Sequence, residues 1–540
     1  MSARRAMGAE KAMAIIFLVA LFFAYAGDAP PGVNEAHYLV KAKNFWDPNF
    51  CRNDLFAASG KAHLTFYVVF GWLTRVASLE LTAWIGRLVG WGLIAAGLVR
   101  LGSSLGLRIP WMVMGSVVWL AGIEYGNLAG EWVIGGIEAK VPAYGLALVG
   151  LAHVVERRWA RAWIWFGGAA AFHVLTGGWA VVSASVAYLI MERPWQSRND
   201  RPRFFSTGLW VGGGLSLLGV IPAWAMSRNV TEAEGIAAAR TYAYFRISHH
   251  LTPAAFHMGW YIRHGCLAVT TVAMIVWVRR AGWLRPERSD RFAAFGLGAI
   301  TIGAAGLLIG CLPAVLPDLA AKLLRFYWFR LSDVVVPLVL AMATAGAGQG
   351  IWHDHLAGKS RSVWSWLPVV VIMTASVTGL AASAWKRASG GVPISVSNRL
   401  LGMESNADYA RQRHTMLDWL AVCRFIRAST SPDEVLLTPR HQQTFKWYAH
   451  RAEVVNWKDV PQDAASLLQW SQRFVEVFPF RLSTMRTTIR YADLRELRRR
   501  YGVRWMIVDH RVAGRELPLV RVYPVGDQSN TTYSVYRLPE

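Results

Sequence analysis

The sequence predicts a polytopic α-helical membrane protein that ends in a soluble α/β domain. The 540-residue chain is 54% hydrophobic and only 17% charged, and its mean hydropathy is +0.28, which soluble proteins of this size rarely reach. It contains 27 Trp and 48 Gly; Trp is enriched at bilayer interfaces and Gly in spanning helices. Long apolar stretches alternate with short basic loops as far as residue 385, and no later stretch is long enough to span a bilayer.

The formal net charge of +23 does not indicate a nucleic-acid partner. Much of the excess falls in the short loops between apolar stretches, where the positive-inside rule places it, and much of the rest falls in the last 155 residues. The apolar content excludes a disordered chain. The four cysteines lack CxxC spacing and predict neither a zinc site nor a disulfide framework.

The composition divides the chain near residue 386. From there to the end it has 24 Lys/Arg and 15 Asp/Glu. We therefore predict a multi-spanning membrane domain, 1–385, with a first outer loop at 27–81, and a soluble extracytoplasmic α/β domain, 386–540, which has an ordinary domain size.

Eleven apolar stretches are predicted to span. They lie at about 12–26, 82–101, 110–125, 138–155, 161–175, 178–191, 205–226, 262–279, 292–312, 330–349 and 364–385. The first follows basic residues as a signal peptide would, but the rest of the chain is predicted to be polytopic, so we interpret it as a retained helix. The pair 161–175 and 178–191 is short on both members, with a break expected at Gly177-Gly178.

The stretch 64–78 decides the topology, because counting it as a span would reverse every later loop. If it lies along the membrane surface, most basic short loops fall on the same side as the basic N-terminus, as the positive-inside rule requires. We therefore predict a cytoplasmic N-terminus, an extracytoplasmic C-terminal domain and a location in the bacterial inner (cytoplasmic) membrane.

A short acidic motif follows the first span. The chain reads Asn34-Glu35-Ala36-His37-Tyr38, with Asp28 before it, and then His63-Leu64-Thr65-Phe66-Tyr67. The motif resembles the Asp-Glu-x-x-Tyr element of the GT-C superfamily, polytopic glycosyltransferases that use polyprenyl-phosphate sugar donors. The second segment is similar to the His-Pro-Pro-Leu-Tyr element of such enzymes. Here Asn34 replaces the first acid, and the two prolines are missing.

The resemblance implies a carboxylate that removes the acceptor proton. Such transfer needs a base and a setting that stabilises the leaving phosphate. Glu35 is the expected base, Asp28 is the alternative, and Asp54 and His63 are expected to contact substrate. The competing interpretation is that Glu35 is a helix N-terminal acid, stabilised by the helix dipole.

The second outer loop carries ionisable groups at membrane depth, which are functional candidates. The resemblance to the GT-C superfamily implies a second acid in this loop, for which Glu131 and Glu138 are the matching candidates. We assign the catalytic role to Glu138 and expect Glu131 and Lys140 to bind substrate. Residues two apart on a helix face different ways, so we predict that Glu138 and Lys140 do not pair with each other. The alternatives are an internal pair or a snorkelling lysine.

Three further residues complete the predicted site. His173 lies at the end of a short span, where a satisfied core histidine is the alternative. Arg325 and Arg330 lie in an aromatic stretch before a late span and could bind phosphate bidentately; the alternatives are an aromatic belt with lipid headgroups, or an Arg330–Asp333 pair. No metal-ligand spacing occurs, so no cofactor is firmly predicted, although a divalent cation stays open.

The last 155 residues predict a small α/β sheet. We expect a helix at 416–426, a strand at 434–439, a basic helix at 494–501, a strand at 504–509 and a hairpin from 519–525 and 532–538. Two runs rich in aromatic and cationic residues, 445–451 and 455–459, are expected to dock on the membrane domain, with sugar or phosphate contact as the alternative.

The resulting hypothesis is a GT-C-like glycosyltransferase acting on the outer face of the membrane. Its expected partners are a polyprenyl-phosphate-linked sugar, membrane lipids, and a glycan, lipid or protein acceptor. Two alternatives remain, a lipid-linked sugar transporter or flippase, which would need an internal repeat with broken helices, and a non-catalytic membrane scaffold. A scaffold need not bring Glu35, Glu138 and Arg330 to one cavity.

Overall fold

A computed structural model gives the structure of the chain and describes residues 2–32, 34–196, 201–228, 230–359, 362–390, 409–478, 491–513 and 517–540. Helices make up most of the part before residue 391. They are α1 Ser2–Ala26, α2 Glu35–Trp46, α3 Leu55–Ala58, α4 Leu64–Val69, α5 Leu79–Leu105, α6 Ile109–Gly126, α7 Lys140–Val155, α8 Trp159–Phe172, α9 Val174–Glu192, α10 Thr207–Ala225, α11 Glu232–Arg240, α12 Ser248–Leu251, α13 Met258–Ala281, α14 Pro286–Ile309, α15 Pro317–Leu324, α16 Arg330–Leu356 and α17 Leu367–Gly390.

Each of the eleven predicted spans coincides with a helix, which confirms the polytopic fold. By length and composition, eight helical segments in the described residues can cross a bilayer: Gly8–Ala26, Leu79–Leu105, Val174–Glu192, Thr207–Ala225, Met258–Ala281, Pro286–Ala314, Arg330–Leu356 and Val363–Ser389. The remaining three, α6, α7 and α8, have 18, 16 and 14 residues. Most side chains of α16 are buried, and it contacts α6, α13 and α14, so it forms the centre of the bundle.

Small residues allow some of these helices to pack closely, as is common in membranes. A Cβ at Gly208 of α10 would lie 1.9 Å from the carbonyl oxygen of Ala160 in α8. The break expected at Gly177-Gly178 lies instead at His173, which ends α8 and begins α9. Gly177 is inside α9, where a Cβ would lie 2.1 Å from the backbone nitrogen of Ala170. Gly177 therefore allows α9 to pack closely on α8, and the prediction of a break there was wrong.

The stretch 64–78 is not a spanning helix. It forms α4, six residues long, and a 3₁₀ turn over Gly71–Arg75. A span needs about 20 residues, so neither piece can cross a bilayer. The stretch packs on α2, where the indole of Trp46 donates to the carbonyl of Tyr67 at 2.7 Å.

The C-terminal region contains a five-stranded mixed sheet with strand order β2-β1-β3-β5-β4. Its elements are α18 Tyr409–Ser429, β1 Val435–Leu437, α19 Phe445–Ala449, β2 Ala452–Glu453, α20 Ala464–Val477, α21 Tyr491–Tyr501, β3 Trp505–Asp509, α22 His510–Ala513, β4 Val520–Tyr523 and β5 Tyr533–Arg537. Strand β1 runs parallel to β2 and β3, while β5 pairs antiparallel with β3 and β4. The predicted helices, strands and final hairpin are confirmed.

Alternate side chains of the strands enter two apolar clusters. Leu436 and Ile507 pack with α18 residues, including Trp419, whereas Leu437 and Val508 pack with α20 residues. This is the period-two pattern of a sheet covered on both faces. The α20 cluster also contains Ala238 of α11 in the 227–261 loop, so the sheet domain packs against a loop of the membrane domain.

Candidate functional site

A cavity of about 760 Å³ lies where three membrane helices begin and the C-terminal domain packs on them. Helices α7, α9 and α16 start at Lys140, Val174 and Arg330, and all three residues line the cavity. Helix N-termini carry partial positive charge and favour anions. The described charged residues of the wall are five cations and two acids: Lys140, Arg246, Arg325, Arg330, Lys458, Glu131 and Glu138.

The loop between α6 and α7 is fixed by a buried carboxylate from α16. Asp333 accepts hydrogen bonds from the backbone N–H groups of Leu128 at 2.7 Å and Ala129 at 2.9 Å. It is therefore occupied with backbone donors, and the Arg330–Asp333 pair considered from the sequence is not formed. The consequence is that Glu131, just after these donors, turns toward Arg330.

Four of the predicted residues form one ionic cluster, which we call the cavity network: Glu131, Glu138, Lys140 and Arg330. Lys140 Nζ lies 2.9 Å from a carboxylate oxygen of Glu138 and 3.2 Å from one of Glu131. Arg330 Nε lies 3.1 Å from the other Glu131 oxygen, and its guanidinium lies over the ring of Tyr327. Each side chain is at most 11% exposed, so the network is a largely desolvated wall of the cavity.

The Glu138–Lys140 contact corrects a sequence prediction. We expected these side chains not to pair, because residues two apart on a helix diverge. The helix begins only at Lys140, and Glu138 precedes it in the loop. The non-helical backbone lets the two side chains approach one another. Lys140 also lies 4.1 Å from the ring centre of Trp132, so it is held in the wall and does not snorkel.

His173 extends the cavity network. Its Nδ1 accepts from the backbone N–H of Thr176, and Arg330 Nη1 lies 2.9 Å from its Nε2. The ring of His63 stacks on it at 5.2 Å between centres. Burial lowers the pKa of His63 to about 3, and the nearby guanidinium of Arg330 is the second cause of this shift. His63 is therefore neutral at neutral pH. Both histidines line the cavity; the substrate contact expected of them stays a prediction.

Glu35 does not line the cavity. It is 0% exposed and forms two hydrogen bonds, both of 2.6 Å, with the guanidinium of Arg87 in α5. It also accepts from the backbone N–H groups of Gly32 and Ile137 at 2.6 and 2.8 Å. A Cβ at Gly136 would lie 2.6 Å from Glu35 Cγ. With every acceptor used, this carboxylate ties the 27–81 loop to α5 and is not placed to take a proton from a ligand.

The other predicted acids of the 27–81 loop also lie outside the cavity wall. The side chain of Asp28 is exposed, and its backbone carbonyl accepts from Arg87. Asp54 is buried, caps α3 through the N–H of Ala57, and accepts from the N–H of Glu453 at 3.1 Å. Asp54 therefore binds the C-terminal domain instead of substrate. Asn34 does line the cavity, and its amide donates to Glu138 at 2.7 Å.

The C-terminal domain docks through a buried ionic group, which we call the docking cluster. Lys446 Nζ lies 3.3 Å from Asp54, 2.5 Å from Glu453 and 2.6 Å from Asp459. Burial raises the pKa of Glu453, while the ammonium of Lys446 and the ring of His37 hold the pKa of Asp459 below its usual value against the effect of burial. The docking role predicted for the runs 445–451 and 455–459 is thus confirmed.

Three cations of the cavity wall form no ion pair with any carboxylate in the described residues. Arg325 is half-buried and lies over the ring of Tyr242. Arg246, 6% exposed, donates to the carbonyl of Trp457 at 2.6 Å, and Lys458 follows that residue. Burial lowers the pKa of Arg246 to about 10, and burial together with Arg246 lowers the pKa of Lys458 to about 8. An anion bound between them would relieve this repulsion.

Sequence reasoning missed Arg246 as a site residue, and it considered Lys458 only within the run 455–459, for which sugar or phosphate contact was the alternative to docking. Arg246 ends a π-helical turn, Thr241–Arg246, a distortion that occurs frequently at functional sites. It has no local motif in the sequence. Lys458 reaches the cavity only because the C-terminal domain docks, so no pattern within the membrane domain could indicate it. Among the described residues, no group of three His, Cys, Asp or Glu side chains is placed to hold a metal ion.

Comparisons with known proteins concern one segment of the C-terminal domain and the fold of most of the chain. A family model described as a domain of unknown function (DUF6798) matches residues 417–477, from α18 to α20. A search of curated proteins found no match. Among solved structures, the chain is similar to the Archaeoglobus fulgidus oligosaccharyltransferase, crystallised with Zn and sulfate. The alignment has 9% identity and a TM-score of 0.44, and it covers 92% of this chain and 68% of the archaeal chain.

Proposed function

We propose that the chain is an integral-membrane glycosyltransferase of the GT-C type, which transfers a sugar from a polyprenyl-phosphate donor to a glycan, lipid or protein acceptor on the outer face of the membrane. The observation that carries the proposal is the charge of the cavity. Five cations face two carboxylates there, at the N-termini of three membrane helices. Positive charge and helix N-termini that converge on one cavity favour a phosphate group.

The phosphate subsite lies at the unpaired cations. Arg325 precedes α16 and has no carboxylate partner in the described residues, so its guanidinium is free to bind a phosphate bidentately. Arg246 and Lys458 stand on the same wall, and their repulsion decreases when an anion enters. The leaving polyprenyl phosphate gains negative charge as the glycosidic bond breaks, and these cations stabilise that charge in a partly desolvated site.

The cavity network supplies the subsite for sugar and acceptor hydroxyl groups. Its carboxylates and cations hold one another in place, so they offer fixed donors and acceptors without reorganisation during the reaction. Glu138 receives a hydrogen bond from Asn34 and an ionic contact from Lys140, which leaves it able to accept from a substrate hydroxyl. Glu131 and Glu138 thus take the orienting role, and neither Glu35 nor Asp28 is part of the proposed site.

The geometry also bears on the two alternatives. Of the three residues that a scaffold need not bring together, Glu138 and Arg330 do line one cavity, and Glu35 does not. Their convergence favours a ligand-binding site over a scaffold. A transporter would bind the same anionic lipid, so binding alone does not separate it from a transferase. Formation of a glycosylated product does.

The first test measures binding of a polyprenyl phosphate and of the matching uncharged polyprenol to the purified protein in detergent. We expect the phosphate to bind more tightly, and Arg325→Ala to weaken its binding about 10- to 100-fold, the usual cost of losing a charged hydrogen bond. Arg75→Ala removes an exposed arginine of the 3₁₀ turn and serves as the matched control. Equal affinity for phosphate and polyprenol would contradict the phosphate subsite.

The second test separates transfer from transport. The protein is reconstituted in vesicles with labelled polyprenyl-phosphate hexoses and pentoses and a cell-envelope extract as acceptor source. A transferase forms a labelled product that no longer extracts with the polyprenyl lipid. Movement of the intact donor across the bilayer without product would favour the transporter and overturn the proposal.

A further inference from the structure

A histidine–aspartate pair links the 27–81 loop to the C-terminal domain at the edge of the cavity. His37 lies in α2 and lines the cavity, and its Nδ1 is 3.1 Å from a carboxylate oxygen of Asp459. The ring packs against Phe56 at 4.1 Å between centres, which limits its rotation. In the part of the chain that the structure describes, the other ring nitrogen, Nε2, has no hydrogen-bond partner. It is therefore available to a ligand in the cavity.

The carboxylate of Asp459 is fixed in its charged form. Lys446 lies 2.6 Å from its second oxygen, and the amide of Asn456 donates to it at 3.1 Å. An ionised carboxylate only accepts hydrogen bonds, so Nδ1 of His37 carries the hydrogen. The bare lone pair is then on Nε2. The same logic orients the histidine in hydrolase triads, where a buried aspartate selects the tautomer.

The surroundings keep the imidazole neutral at neutral pH. Burial lowers the pKa of His37, and the ammonium groups of Lys41 and Lys458 lower it further, whereas Asp459 acts in the opposite direction. His63, itself neutral, faces it from the start of α4. A neutral imidazole can accept a proton during a reaction, and the aspartate beside it stabilises the imidazolium that forms.

Two acids and two histidines of the wall are less suited to this task. Both carboxylates of the cavity network are already in contact with cations. His173 uses both ring nitrogens, toward Thr176 and Arg330. His250 contacts the carbonyl of Ala129, and no carboxylate among the described residues orients it.

We infer that His37, oriented by Asp459, is the base that removes the proton from the acceptor hydroxyl, an inference that rests on the proposed glycosyl transfer. The acceptor O–H donates to His37 Nε2, and the acceptor oxygen forms a bond to the anomeric carbon. The bond from that carbon to the phosphate oxygen breaks, and its electron pair leaves with the polyprenyl phosphate. The imidazolium then returns its proton to water or to the departing phosphate.

This assignment gives the C-terminal domain a part in the reaction. The base comes from the membrane domain, but the positioning residue, Asp459, comes from a loop that reaches the cavity only when the domain is docked. Lys446 both docks the domain, through Asp54, and fixes Asp459. The site is thus complete only in the docked arrangement.

The decisive experiment compares His37→Asn and His37→Ala in the vesicle transfer assay. The asparagine amide can still donate to Asp459 but has no basic nitrogen, so structure is retained and the base is lost. We expect kcat to fall about 10²- to 10⁴-fold, with KM and polyprenyl phosphate binding nearly unchanged. Added imidazole should restore part of the rate of His37→Ala only. His355→Asn, at the exposed opposite end of α16, should behave as wild type.

A pH–rate profile tests the positioning role. Wild-type kcat/KM should decline on the acid side, below pH 6.5, as His37 becomes protonated. In Asp459→Asn the charge that raises the pKa of His37 is gone, so the decline should move to lower pH while kcat falls. Two results would refute the assignment of His37 as the base while leaving the glycosyltransferase proposal intact. One is full activity of His37→Asn. The other is that imidazole restores no activity to His37→Ala and that the acid-side decline of kcat/KM does not move in Asp459→Asn. Absence of any product with wild-type protein would refute both.

Discussion

The Glu35–Arg87 pair and the cavity network are both buried ionic groups close to the ends of membrane helices, yet they differ in what their charges can still do. In the pair, one carboxylate and one guanidinium satisfy each other, and backbone N–H groups fill the remaining acceptor positions. The cavity network has two acids, two cations and an open side toward 760 Å³ of space. Burial of charge alone thus does not identify a site; unused hydrogen-bonding capacity that faces a cavity does.

The largest effect should come from breaking the Glu35–Arg87 pair. Arg87→Met leaves the carboxylate of Glu35, at 0% exposure, without its cation, and an uncompensated buried charge costs about 3–5 kcal/mol. We expect a large fall in the thermal unfolding midpoint in detergent. The double variant Arg87→Met/Glu35→Met removes both charges and should recover part of the loss. An unchanged midpoint in Arg87→Met would show that Glu35 is not held as described.

The sequence contains a signal for this pair outside the motif. Arg87 lies within the predicted span 82–101, and an ionisable residue at that depth requires a partner. Glu35 was instead assigned by its resemblance to a motif, which gives residue types and spacing but not the direction in which a side chain points. Only the tertiary contact of α2 with α5 shows that this acid faces away from the cavity.

The cavity network was more predictable because its members are ionisable residues in an outer loop or at the starts of apolar spans. Glu138, Lys140 and Arg330 stand at such starts, and Glu131, in the preceding loop, was indicated by the resemblance to the GT-C superfamily. Their mutual contacts were not predictable, because they depend on where α7 begins and on how Asp333 turns the preceding loop. Arg246 lies in the membrane domain and was missed because it belongs to no local motif. Lys458 and Asp459 lie in the run 455–459, for which sugar or phosphate contact was only the alternative to docking. They come to the edge of the cavity because the C-terminal domain docks, and no local pattern encodes docking.

A moderate effect should follow from a change in the cavity network. Glu138→Gln keeps the shape of the side chain and can still accept from Asn34, and Lys140 keeps its contact with Glu131. We therefore expect a stability loss of only about 1 kcal/mol, against a fall in transfer rate of about 10²-fold through loss of a preorganised charge. Arg87→Met, by contrast, is expected to act mainly by lowering the stability of the fold.

The matched control for this variant is Glu80→Gln, an exposed acid in the first turn of α5. It should change neither the unfolding midpoint nor the transfer rate measurably. If Glu138→Gln instead unfolded the protein as severely as Arg87→Met, the distinction between a closed pair and an open network would fail.

The smallest effect concerns pH, to which the cavity wall responds through its histidines. The pKa of His63 is about 3 when folded, against about 6.5 when unfolded. Between these values the unfolded chain binds a proton that the folded chain does not, so stability falls as pH falls from 6.5 toward 3. From pH 6.5 to 5.5 the loss from this group is up to about 1 kcal/mol.

His63→Gln should therefore show a shallower decline of the thermal midpoint over that interval than wild type, whereas His355→Asn should not. Parallel declines in wild type and His63→Gln would mean that water or a neighbouring acid stabilises the charged ring, and that the cavity wall is less desolvated than its contacts indicate.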